Sequence, residues 1–164
     1  MKTSISTACT SANIERVVRL LAETPVRLEA LGEPLPAQEL RRPLGEGERS
    51  FMETLVHLLN SEARTSEAIH LALLLDEPLV ADIHPERDWG KLVRLDLLEF
   101  AELLAYFKTR RRALLRVLSA LTEAQWVRSV RESGKRRKES VYWKARSLAL
   151  HESEHLEDLE IKLG

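Results

Sequence analysis

The sequence predicts an all-α fold, a four-helix bundle with long crossover connections. Four stretches place apolar residues three and four positions apart, the period of an amphipathic helix. No stretch alternates at period two as a half-buried strand would. The first and second connections, rich in proline and glycine, are too long for tight hairpins, so neighbours in sequence need not run antiparallel.

The first helix is expected over Ala12–Leu31, carrying Ile14, Val17, Val18, Leu21, Leu28 and Leu31, with Gly32 as its stop. Pro25 removes an N–H from its interior, which predicts a kink or break near Thr24. An irregular connection, Glu33–Glu48, follows, punctuated by Pro34, Pro36, Pro43, Gly45 and Gly47. Ser50, with Glu53 three residues on, spells a capping box that opens a second helix running to about Leu75. A second connection, Asp76–Gly90, holds Pro78, His84, Pro85 and Trp89. The third helix is expected from Lys91 to about Ala120, with Leu97, Phe100, Leu104, Phe107, Leu114 and Leu118 as its core face. A charged loop, Leu121–Lys138, leads to a final helix that begins near Glu139 or Ser140.

Composition bounds the function. With 164 residues, 44% hydrophobic and 31% charged, the chain can bury a core without disulfides. We expect one domain over residues 1–164, with 1–11 a loosely ordered N-terminal segment. A net charge of −1 gives no footprint for nucleic acid, and the basic runs Arg110–Arg112 and Lys135–Lys138 are expected to be solvated surface. No apolar run nears the roughly 20 residues of a membrane span, and the opening residues lack the apolar core of a signal peptide. A lone Cys9 forms no internal disulfide. A cytoplasmic protein is therefore expected.

The chemistry concentrates in Val141–Leu163, VYWKARSLALHESEHLEDLEIKL. His151 and His155, four apart, aim two imidazoles from one helix face, which is half a metal site. By chance a pair at that spacing is common enough to decide nothing alone. The letters also spell H-E-x-x-H with Glu152 as base and the inverted H-x-x-E-H with Glu154. Both protease readings lack a third ligand: only nine residues follow His155, and the position six beyond it is Ile161. Glu152 lies near the middle of the apolar stripe of this helix, so it is either a buried carboxylate orienting a ligand or a general base.

On the second helix His57 flanks the Met52, Leu59, Ala63 stripe, from where it can reach a cleft or serve as a satisfied core residue. Glu62, about 140° round the helix from His57, suits a helix salt bridge. His70 and His84 are expected to be structural or at the surface, and Trp89, Trp126 and Trp143 to be packing residues.

These residues, in this order, resemble a known family. The passages TPVRLEALGEPLPAQELRRPLGEGERSFMETLVHLLNSE, FKTRRRALLRVLSALTEAQW and VRESGKRRKESVYWKARSLALHESEHLEDL, with the weaker LLLDEPLV between the first two, are similar to segments of the DinB-like (damage-inducible, YfiT-like) metalloenzymes, from about Thr24 to Leu163. The resemblance implies a four-helix bundle and a divalent metal, zinc or nickel, held by His57, His151 and His155. It also implies an enzyme acting on a small-molecule substrate, since family members include thiol S-transferases that use low-molecular-weight thiols, and others are grouped as metal-dependent hydrolases. Homodimers are common in the family, and its name implies no DNA binding. Thiol activation and hydrolysis both remain open, with Glu152 as the candidate catalytic residue. The alternative is a metal-free helical module that binds a ligand or partner in the bundle cleft.

Overall fold

A computed structural model describes residues 3–164. Four long helices form the bundle: α1 (Ser11–Gly32), α3 (Phe51–Leu74), α5 (Phe100–Ser119) and α7 (Val141–Leu163). Three short helices, α2 (Ala37–Arg41), α4 (Pro85–Leu92) and α6 (Glu123–Trp126), lie in the connections. Local chemistry sets the starts. Thr10 caps α1 through Asn13 N–H, Ser50 and Glu53 close the expected capping box on α3, and Ser140 accepts from Trp143 N–H at the head of α7.

The core falls into two apolar clusters, one at each end of the bundle. One gathers Val17, Leu21, Ile69, Leu114, Leu118, Tyr142 and Ala145. The other gathers Leu28, Phe51, Leu55, Leu58, Leu103, Phe107 and Leu156. Following each helix from one cluster to the other gives its direction. α1 and α7 run one way, and α3 and α5 the other. The chain therefore makes a single full-length crossover, between α3 and α5, and the connections on either side of it are hairpin-like.

A small sheet, for which the sequence carries no signal, ties the crossover down. β1 (Leu79–Val80) pairs in parallel with β2 (Ser129–Glu132), and β2 pairs antiparallel with β3 (Glu139–Ser140). Strands of two to four residues are too short to show a period-two pattern.

Two expected boundaries move. α1 continues through Pro25 without a break. The proline leaves the Leu21 carbonyl, four residues back, without its helical donor, and Arg111 Nη1 on α5 fills that vacancy at 2.5 Å. The third helix begins at Phe100, nine residues later than expected, because the chain leaves α4 at Val93 and turns through Arg94 at φ 54°. Gly32 is the last residue of α1, and it is required by close packing: a Cβ there would lie 2.4 Å from Phe100 Cζ.

The N-terminal segment expected to be loose is held down as far as it is described; residues 1 and 2 of it lie outside the described residues. Ile5 is buried, Tyr142 and Arg146 of α7 donate to the carbonyls of Ser6 and Ile5, and Thr3 Oγ1 donates to Glu157 at 2.6 Å. Among the described residues no helix is long and apolar enough to cross a membrane.

Candidate metal centre

Between the two apolar clusters lies one polar layer with a member from each long helix. Thr24, Glu62, Arg111 and Glu152 are all buried. Arg111 reaches Glu62 Oε2 with Nε at 3.0 Å and Nη2 at 2.6 Å, and Nη2 also reaches Glu152 Oε1 at 2.5 Å. Thr24 Oγ1 donates to Glu152 Oε2 at 2.9 Å. Two carboxylates share one guanidinium, and burial pushes Glu62 up to about 7, with the Arg111 charge opposing and the Glu152 charge adding.

This layer corrects one expectation and bears on a second. Arg111, read as part of a solvated basic run, is 1% exposed and sits at the centre of the bundle. Glu152 has both oxygens engaged by Arg111 and Thr24, so its carboxylate is committed to the layer and stands outside the histidine cluster. Glu62 makes a salt bridge as expected, across helices to Arg111 instead of along its own.

One residue away from Glu152, and five before Glu62, the side chains leave the layer at the packed seam of α3 and α7. There the structure brings His57, His151 and His155 together, each half-buried, with one ligand-capable atom from each lying within 4.8 Å of the others. His57 Nε2 and His151 Nε2 are 3.0 Å apart. The rings meet edge to face, with centroids 4.6 to 5.0 Å apart. Like-sign imidazolium groups would repel at that distance. Burial pushes His57 down to about 4, with Arg49, His151 and His155 adding to the effect, and burial likewise lowers His151 and His155.

The donor set fits a divalent ion. Ligands around a tetrahedral centre with bonds of about 2.1 Å are separated by about 3.4 Å, which the observed spacing brackets. Neutral imidazole is the ligating form. Three donors leave further positions open, the pattern of a site that meets solvent and substrate.

Two neighbours escaped the sequence reading. Ser61, one turn after His57 on α3, donates to the His57 carbonyl at 2.9 Å and lies 3.3 Å from His151 Nε2. Its i+4 spacing from His57 is the signal that would have found it. Arg49, just before the α3 N-cap, acts electrostatically on all three imidazoles, and nothing in its local sequence marks it.

The remaining candidates lie elsewhere. His70 is exposed. His84 is buried at the head of α4, with Nδ1 3.4 Å from Glu67. Trp126 is buried and Trp143 packs between Arg137 and Arg146, but Trp89 is 63% exposed and is no core residue. The run Lys135–Lys138 is largely spent on ion pairs with Glu77, Glu132 and Glu139.

Comparison with known proteins agrees with this picture. The family model of the DinB superfamily matches residues 20–159. Among solved structures, YfiT from Bacillus subtilis, described as a probable metal-dependent hydrolase with an unusual four-helix bundle topology, aligns with a TM-score of 0.81 and 16% sequence identity. The alignment covers 98% of this chain and 91% of that one, and at this identity it speaks for the fold alone. No curated protein matches the sequence.

Proposed function

We propose that this chain, which belongs to the DinB superfamily, holds a divalent metal ion, zinc or nickel, on His57, His151 and His155 and acts as a metal-dependent transferase or hydrolase on a small molecule. One observation carries the reading: three half-buried imidazoles from two helices converge within 4.8 Å. When bound, such an ion acts as a Lewis acid that makes a water or a thiol nucleophilic near neutral pH.

The chain's own part is placement. α7 supplies two ligands from one face, and α3 supplies the third. The Glu62–Arg111–Glu152 layer fixes these helices against each other one residue from His151, so the three imidazoles are held before any ion arrives. Neutral rings need not shed protons to ligate. Ser61 offers a hydroxyl at the same nitrogen cluster, where it can hold a substrate or water proton. Water and thiol both stand as nucleophiles. The hydrolase description attached to YfiT favours water, and the thiol transferases among DinB-like enzymes favour thiol.

Metal analysis of protein prepared without a polyhistidine tag tests the reading. Wild type should carry about one equivalent after metal loading, and His57→Ala and His155→Ala should carry about a tenth or less while keeping their helical circular dichroism. Wild-type protein with less than about a third of an equivalent would defeat the reading and leave a metal-free ligand-binding module.

A further inference from the structure

We infer that the metal centre is built for a small molecule that carries a carboxylate, and that Arg49 is the residue that recognises it. The inference rests on the metal-site reading and adds the charge of what binds there.

The geometry is local. A cavity of about 450 Å³ opens beside the histidine cluster, and Glu48, Arg49, Thr54, His155, Asp158 and Lys162 are among its lining residues. His155 faces both the cluster and this cavity, so a molecule anchored at the metal extends past Arg49. The Arg49 backbone is fixed. Leu44 N–H donates to its carbonyl at 3.3 Å, Pro43 and Ser50 form an isolated bridge, and Gly47 turns the loop at φ 71°.

Its side chain is not spent. The other cation of the cavity, Lys162, binds Glu48 at 2.7 Å and Asp158 at 2.8 Å, so both acids are directed to Lys162 and neither to Arg49. Among the described residues no carboxylate lies within ion-pair distance of the Arg49 guanidinium.

An exposed guanidinium that shares a cavity with one of the metal ligands adds charge of the metal's own sign to the site. An ion held by three neutral imidazoles keeps its full positive charge, and Arg49 adds another of the same sign. Glu154 and Asp158, on the ligand helix itself, offset part of that charge at His151 and His155. An incoming anion resolves the repulsion, and the planar fork of arginine suits a carboxylate in two-point contact. Neutral substrates gain nothing from this arrangement.

The test compares two thiols of equal length, 3-mercaptopropionate with a charged arm and 3-mercaptopropan-1-ol with a neutral one. Each is titrated into cobalt-loaded protein and followed by the thiolate-to-cobalt absorption. Wild type should prefer the charged thiol about ten-fold, the usual worth of a hydrogen bond to a charged partner. Arg49→Ala should reduce that preference to about two-fold or less through loss of affinity for the charged thiol alone, and Arg49→Lys should keep part of it. Equal affinity for the two thiols in wild type, absence of binding by both included, overturns the inference, as does a preference that survives in Arg49→Ala. Failure of the metal-site reading shows separately, as protein that takes up no cobalt before any thiol is added.

Discussion

Replacing Arg111 by methionine is the most demanding perturbation of this fold. The guanidinium is 1% exposed and serves two carboxylates that are 0% exposed, together with the Leu21 carbonyl freed by Pro25. Breaking a buried pair by removing one partner costs about 3–5 kcal/mol, because the other charge is left without compensation. The abandoned carbonyl adds about 1–3 kcal/mol. A total near 5 kcal/mol corresponds to a fall in Tm of roughly 10–20 °C for a domain of this size.

The penalty should depend on pH. In the native protein Glu62 titrates near 7, above its unfolded value of 4.5, so its contribution to stability is fully present below pH 4.5 and is lost as pH rises through about 7. Without Arg111 that carboxyl rises further, and Arg111→Met should suffer more at pH 8 than at pH 5. Urea unfolding followed by circular dichroism at both pH values measures this. The triple change Glu62→Leu, Arg111→Met, Glu152→Leu, which removes every charge of the layer, should recover most of the lost stability. A single variant within about 1 kcal/mol of wild type at pH 8, or a loss equal at both pH values, would refute the account of the layer.

Other expectations follow from the same packing and charges. Thr24→Val removes the hydroxyl that satisfies Glu152 Oε2 and should lower stability by about 1–3 kcal/mol in the same urea assay. Gly32→Ala drives a methyl group into the Phe100 ring and should destabilise by about 1–3 kcal/mol, with a smaller loss when Phe100 is also changed to leucine. Burial raises Glu132, but hydrogen bonds from Lys135 and Lys144 outweigh it and hold the carboxyl at about 2. Its contribution is therefore present above pH 4.5 and lost as pH falls through about 2. Lys144→Met should weaken that contribution and bring acid unfolding to a higher pH, measured by circular dichroism across an acid titration.

How far the sequence revealed this molecule can be traced residue by residue. The four helices and the Ser50–Glu53 cap were legible because they depend on spacing and on neighbours within four residues. The pair His151 and His155 was legible for the same reason. His57 was not: its flank position allowed a cleft, and only the family resemblance joined it to the other two. Glu152 was read as a possible base because a carboxylate beside a ligand histidine looks the same in sequence whichever way it faces. Arg111 stood in a run of three arginines, and its burial depends on Thr24, Glu62 and Glu152, which lie on three other helices. Pro25 failed to break α1 for a related reason, since the donor that replaces the missing N–H comes from 90 residues away. Long-range pairing of this kind leaves no periodic trace.

The N-terminal segment laid along α7 has a practical consequence. Thr3 and His151 line the same cavity, so a flexible extension at the N-terminus is tethered within reach of one of the ligand imidazoles. A purification tag of histidines placed there would bring a surplus of identical ligands to the site, capable of capturing ions by itself or of capping the open coordination positions. Affinity handles for this protein belong at the other terminus, or should be cleaved before stoichiometry is determined.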